Sequence, residues 1–167
     1  MTKLRLAGVV RESIVDGPGI RYTVFAQGCP HHCPGCHNAH TWPSSGGFEA
    51  EPEQIAAQMK QNPMLRGITL SGGEPFCQCK AMAELAGLVH EAGYDVVAYT
   101  GYLFEELLEK AETDPDVLAL LQQTDLLIDG PFLQEEKSYD LRFRGSKNQR
   151  AIDVKASLSG SVTLADI

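Results

Sequence analysis

Gly67-Ile-Thr-Leu-Ser-Gly-Gly-Glu-Pro75 is a short apolar run that ends directly in two glycines, an acid and a proline. Residues 67–70 read as a buried strand and 71–75 as the turn that ends it. Met82, Leu85, Leu88 and Val89 then mark an amphipathic helix over residues 79–92, closed by Gly93. A strand, a glycine turn and a helix make one β/α unit, and the rest of the chain repeats the alternation. Leu4 to Val10 and Ile20 to Gln27 read as strands separated by the turn Asp16-Gly17-Pro18-Gly19. Pro52 starts a helix with Ile55, Ala56 and Met59 on one face, ended at Asn62 and Pro63. Tyr94 to Thr100 and Asp125 to Asp129 are further strands, and helices between them carry Phe104, Leu107, Val117 and Leu121. A last short strand is expected near Ala151 to Val154, with a peripheral tail from Ser157.

Several of these strands are apolar on both faces, which predicts a mostly parallel sheet flanked by helices. At 167 residues the chain is one α/β domain, too short for a closed barrel of about 200–250 residues. A partial, open (β/α) barrel or a doubly wound sheet fits. In both, ligands bind at the C-terminal ends of the strands. The segments after Gln27, Leu70, Tyr99 and Ile128 are therefore expected to converge on one edge.

The segment after Gln27 is the richest in chemistry. Gly28-Cys-Pro-His-His-Cys-Pro-Gly-Cys-His37 sets Cys29, Cys33 and Cys36 at Cys-x3-Cys-x2-Cys spacing with no fourth cysteine close by. Three thiolates on a tight loop can hold three irons of a [4Fe–4S] cluster and leave the fourth iron open, whereas electron-transfer clusters usually have four cysteine ligands. A structural zinc site of Cys3His type is the competing reading, with His31, His32, His37 and His40 at hand, although zinc sites usually join two separated knuckles. A disulfide framework is disfavoured by the odd number of cysteines, five.

Composition narrows the partners. A formal net charge of −8 disfavours nucleic acid and acidic membrane surfaces. No stretch approaches the ~20 apolar residues of a membrane span. The opening residues lack the apolar run of a signal peptide, so free thiols point to a reducing, cytoplasmic setting.

Cys-x3-Cys-x2-Cys followed by Gly72-Gly73-Glu74-Pro75 resembles the radical S-adenosylmethionine (SAM) superfamily. Val15-Asp-Gly-Pro-Gly-Ile-Arg21 resembles the activating enzymes of glycyl radical enzymes. Tyr99-Thr-Gly-Tyr102, Ile128-Asp-Gly130 and Arg144-Gly-Ser-Lys-Asn-Gln149 resemble the activases of anaerobic (class III) ribonucleotide reductase. The likeness covers roughly residues 8 to 150.

The resemblance implies a radical SAM fold and a mechanism. Cys29, Cys33 and Cys36 would be the metal ligands. SAM would chelate the open iron and, on receiving one electron, give methionine and a 5′-deoxyadenosyl radical that takes hydrogen from a glycine of the reductase large subunit. Gly35, Cys36 and His37 would lie beside SAM, and Gly72 and Gly73 would line its methionine moiety, with Glu74 near its ammonium group. Asp129, at a strand's end, fits SAM, the target loop or a cap or turn role, and Thr100 fits a similar contact or a hydroxyl bond to the backbone. Flavodoxin or ferredoxin is the implied electron donor. The cofactor carries the chemistry, so no protein acid, base or nucleophile is required. An open barrel would also leave a mouth wide enough for a glycine-bearing protein loop. Gly35 stands where many superfamily members have an aromatic, and Pro131 and Phe143 stand where these activases often have Lys and Trp.

Other readings stand beside these. A small enzyme acting on a purine-like substrate would also be short, but the Asp-Gly-Pro-Gly run argues against it. Asp16 fits either an orienting carboxylate or a turn acid. Arg142, Arg144, Lys147 and Arg150 form a basic run suited to a partner or to a solvated face. Cys77 and Cys79 read as incidental thiols. Trp42 and the histidines are expected to shape the cysteine loop.

Overall fold

The computed structural model describes residues 2–36, 38–43 and 45–167. It contains one seven-stranded sheet in the order β3-β1-β2-β4-β5-β6-β7. The strands are β1 (Leu4–Ser13), β2 (Arg21–Ala26), β3 (Phe48–Ala50), β4 (Gly67–Gly72), β5 (Asp95–Tyr99), β6 (Leu126–Asp129) and β7 (Arg150–Asp153). The helices are α1 (Pro52–Lys60), α2 (Cys79–Glu91), α3 (Phe104–Ala111), α4 (Pro115–Gln123) and α5 (Val154–Leu158).

Connection length explains which pairs are parallel. β2, β4, β5 and β6 are parallel neighbours, and α1, α2 and the α3–α4 pair cross between them. A parallel pair needs such a crossover. β1 meets β2 antiparallel because only a short turn joins them, and β7 meets β6 antiparallel after a loop that carries no α-helix. The sheet is thus parallel in the middle and antiparallel at both edges. The three-residue β3 escapes sequence reading because it is too short to show a period, and Phe48 within it is exposed.

Helices cover one face of the sheet. Tyr22, Val24, Ile68, Leu70, Val96, Ala98, Leu127 and Ile152 alternate onto that face and join Met59, Met82, Leu85, Val89, Leu107 and Leu121 in the main core. α2 lies at its centre, against α1 and α4, with Met82, Leu85, Ala86 and Val89 fully buried. Burial of each of the Met, Leu and Val side chains among them contributes roughly 1.5–3 kcal/mol by leaving water. Gly93, at φ +92, ends the helix in a conformation that favours glycine.

The opposite face is polar where β2 and β4 present Arg21, Thr23, Thr69 and Ser71. A doubly wound sheet would have helices there too; this face is instead the concave interior of a partial, open barrel. The turn after β1 folds into it. Arg21, fully buried, reaches Asp95 at 2.5 Å and donates to the hydroxyl of Thr69 (2.8 Å) and the carbonyls of Ile68 (2.8 Å) and Pro18 (2.9 Å). Gly17, at φ +127, lets the turn approach; a Cβ there would stand 3.0 Å from Arg21 Cδ. Asp16 accepts from the Ser13 hydroxyl (2.5 Å) and the Thr23 hydroxyl (3.2 Å). The Asp-Gly-Pro-Gly run is therefore an inward plug tied to two strands.

At the other edge the tail is tied to the sheet. Ile152 bridges Leu164, and Ala165 and Ile167 pack on Val97, Leu126 and Ile128. Among the described residues no helix is long and apolar enough to cross a membrane.

Candidate functional site

The segments after β2, β4, β5 and β6 meet at the C-terminal edge of the parallel strands, as the sequence predicts for either fold. A cleft of ≈ 130 Å³ is lined there by Cys29, Cys33 and Cys36, by Ser71, Gly72 and Gly73, by Thr100 and Gly101, and by Trp42, Tyr99, Phe132 and Gln149. His37 falls outside the described residues.

Backbone pairing holds the cysteine loop at this edge. The amides of Gly28 and Cys29 donate to the carbonyls of Thr41 (2.6 Å) and Trp42 (3.0 Å), so the outgoing chain lies beside the incoming one. The amide of Glu74 donates to Gly28 O at 2.8 Å and that of Gly73 to Ala26 O at 2.8 Å. This second set explains the glycine pair. A Cβ on Gly73 would stand 2.2 Å from Gly28 O, and one on Gly72 2.4 Å from the amide nitrogen of Ala26. Gly72 and Gly73 therefore permit close packing of the turn on the start of the cysteine loop, besides lining the cleft.

Glu74 is fully buried and accepts from four groups: the Thr100 hydroxyl (2.9 Å), the Gly101 amide (2.8 Å), the Phe76 amide (3.1 Å) and His31 Nε2 (2.6 Å). A carboxylate satisfied by donors from three loops links β4, β5 and the cysteine loop. An acid buried without such donors would be costly here. Thr100 lines the cleft, but its hydroxyl is spent between Glu74 and the amide of Tyr102 (3.1 Å). Asp129 is likewise satisfied within the protein. It is fully buried, accepts from the first amide of α3, Phe104 N, at 2.8 Å, and pairs with Arg150 at 2.5 Å. It ties β6 to α3 and β7 and does not line the cleft. Gly35, at φ +76, packs on Gln134, to whose Cδ a Cβ would come within 3.0 Å.

His31 shows why a loop histidine is needed. Its ring stands edge-on to Tyr102, centroids 4.5 Å apart, and Lys110 lies 4.8 Å over the far ring. A Cβ on Gly101 would be 2.4 Å from the imidazole.

The donor set fits a metal cluster. Burial pushes the Cys29 and Cys33 thiols above their ordinary range; the amides of His31 and His32 oppose this at Cys29, and that of Phe132 opposes it at Cys33. The Asn38 amide donates to Cys36 Sγ at 3.4 Å. Amides aimed at sulfur favour the thiolate, the form that binds metal. Two buried side-chain polar atoms have no partner among the described residues: Nε1 of Trp42, a residue that lines the cleft, and Asn148 Oδ1. Leaving such a group unsatisfied costs about 1–3 kcal/mol. No three His, Cys, Asp or Glu side chains among the described residues converge on a single-ion position. The three thiols surround a cleft and not a point.

The cleft opens into a larger one of ≈ 610 Å³ that shares Cys36, Asn38, Ser71, Tyr99, Phe132 and Gln149 with it. Its rim carries exposed Ile14, Val15 and Tyr139, with Lys137 and Arg144 beside them. The sequence missed this rim because it comes from the turn after β1 and from the β6–β7 loop, which are far apart in the chain. Tyr99 fastens that loop, donating its hydroxyl to Phe143 O at 2.7 Å; Phe143 itself is at φ +61.

Comparison with known proteins gives the family. The model of the 4Fe-4S single cluster domain family matches residues 15–152. The anaerobic ribonucleoside-triphosphate reductase-activating protein of Vibrio cholerae is 38% identical over 144 residues, covering 81% of this chain and 89% of that protein. This chain belongs to that family. The activating protein of Escherichia coli K12 is 35% identical over 81% of this chain and 90% of its own, and the one from phage T4 is 33% identical over 81% and 85%. Between zinc and cluster, family membership selects the cluster. The crystal structure of QueE from Escherichia coli aligns with 59% of this chain and 52% of that one, at TM-score 0.46 and 20% identity, too partial a likeness to carry an argument.

Proposed function

We propose that this chain activates an anaerobic ribonucleotide reductase by making a glycyl radical on it. The observation that carries the reading is the three-cysteine cleft at the strand ends of a chain that belongs to the reductase-activating family. Cys29, Cys33 and Cys36 would hold a [4Fe–4S] cluster, which with SAM would supply the reductive cleavage that yields methionine and a 5′-deoxyadenosyl radical able to take the α-hydrogen of a partner glycine.

The chain's own residues bind, orient and shield. The three cysteines hold iron. Gly72, Gly73, Thr100 and Cys36 form the wall along which SAM would lie. Glu74 and Asp129 act as positioning residues, one holding the cysteine loop to β5 and the other holding α3 to β7. Tyr99 and Phe132 line both cleft and mouth and would limit water at the reacting centre. The open mouth suits a protein loop better than a free metabolite, which would call for closure. Flavodoxin or ferredoxin is the proposed reductant.

Anaerobic reconstitution with iron and sulfide, followed by EPR of the reduced protein with and without SAM, tests the cluster half of the proposal. A [4Fe–4S]⁺ signal whose g-values move on adding SAM is expected, and a glycyl radical should appear when the reductase is then added. Zinc uptake without cluster formation, or a cluster signal indifferent to SAM, would overturn it.

A further inference from the structure

We infer that Trp42 donates its indole N–H to a sulfur of the cluster bound in the cysteine cleft, and that this bond raises the cluster's reduction potential. The inference rests on the cluster reading above and assigns a role to a residue which that reading leaves unused.

Trp42 Nε1 is buried and has no acceptor among the described residues, although the residue lines the same cleft as Cys29, Cys33 and Cys36. Buried indole N–H groups usually find a partner. The ring is also held in place. Its own carbonyl accepts from the Cys29 amide at 3.0 Å, which fixes the Trp42 backbone beside the first cysteine. The indole stacks on His32, centroids 4.6 Å apart and planes within 6°, and His32 sits at φ +47, a conformation uncommon for a side-chain-bearing residue. Local strain, a stack and a backbone bond thus hold a donor that lacks only its acceptor. Sulfurs carrying negative charge are what the cleft is built to hold.

The energetic consequence has a sign. Adding an electron makes the cluster more negative, so an N–H donor stabilises the reduced form more than the oxidised one. Hydrogen bonds to the sulfurs are among the factors that set cluster potentials. Trp42 would thereby ease the electron entry on which SAM cleavage depends. It is a positioning and tuning residue, and it does not touch the partner glycine.

Trp42 is the single tryptophan of the chain, so labelling is site-specific. The test is pulsed EPR on the reduced, iron-loaded protein carrying ¹⁵N-indole tryptophan, without SAM. A ¹⁵N hyperfine coupling and an exchangeable deuteron coupling are expected, both absent in Trp42→Phe. In that variant the reduction equilibrium should move about tenfold toward the oxidised cluster, a fall of about 59 mV for one electron. A loaded, reduced cluster with no ¹⁵N coupling overturns the inference and leaves the proposed function standing. A coupling that appears only after SAM is added overturns it too, by assigning the donor to SAM. An unchanged potential in Trp42→Phe overturns the tuning role. Should that variant fail to load iron, the labelled wild-type protein still decides. Failure of the wild-type protein to form any cluster would overturn both readings.

Discussion

His31 Nε2 lies 2.6 Å from the fully buried carboxylate of Glu74, which couples the loop bearing the three cysteines to the turn that ends β4. The same carboxylate binds the Thr100 hydroxyl and the Gly101 amide, so three of the loops that build the site share one acceptor. Glu74→Gln keeps the shape but turns an NH₂ toward donors. A loss of about 2 kcal/mol is expected, or about 4–8 °C in Tm for a chain of this size. Scanning calorimetry of the metal-free protein, and iron content after reconstitution, should both fall. A variant that melts with the wild type and loads fully would remove Glu74 from this role.

Two glycines should respond in opposite ways to alanine. Gly73→Ala drives a methyl group to 2.2 Å from Gly28 O and should weaken both the fold and iron loading. Gly87→Ala, inside α2 with nothing within 4 Å of the added Cβ, should stabilise by up to about 1 kcal/mol. Urea denaturation of the two variants, run side by side, measures both signs.

The basic run should split. Arg150 pairs with buried Asp129 and with Glu105, and these bonds lift its guanidinium pKa above the ordinary value. Arg150→Met leaves Asp129 without its cation and should cost about 3–5 kcal/mol. Arg142 is exposed and over the Phe143 ring, and Arg142→Ala should stay within about 0.5 kcal/mol. Equal effects in chemical denaturation would contradict the assignment.

Asp125 supplies a pH dependence. Burial alone would raise its carboxyl, but His90 Nε2 (2.7 Å), the Val96 amide (2.9 Å) and Lys155 (3.2 Å) outweigh that and hold it below the ordinary carboxylate range. A folded-state value below the unfolded one means the contribution is complete above about pH 4 and lost as pH falls through the folded value. The stability gap between wild type and Asp125→Asn, read from urea melts between pH 3 and 7, should therefore be constant near neutrality and close in acid. A gap that widens in acid would reverse the sign.

The two thiols after the glycine turn should differ in reactivity. Cys79 is buried, bonds Phe76 O at 3.0 Å, and burial pushes it up to about 12. Cys77 is exposed and raised less. Peptide mapping after brief alkylation near pH 8 should find Cys77 modified well before Cys79. Equal labelling would show that the turn opens in solution.

Local chemistry and period were enough to place most of this protein from its sequence. Alternating apolar strands and amphipathic helices determined the α/β architecture and its parallel centre, because each element's pattern must match the face it buries. Cysteine spacing, joined to the Gly-Gly-Glu-Pro turn, determined where metal chemistry belongs, because ligands within one short loop need no fold to bring them near each other. Tertiary structure alone decided the direction of the buried carboxylates. Glu74 and Asp129 both end strands at the functional edge, and each turns to donors that come from loops 26 and 25 residues away in the chain, Thr100 and Phe104. It alone decided that Asp-Gly-Pro-Gly plugs the barrel, that Arg150 leaves the basic run to pair with Asp129, and that Trp42, a residue lining the cysteine cleft, buries an unpartnered donor. Each of these outcomes depends on which distant group desolvates a polar atom and which one satisfies it, and no sequence period records that pairing.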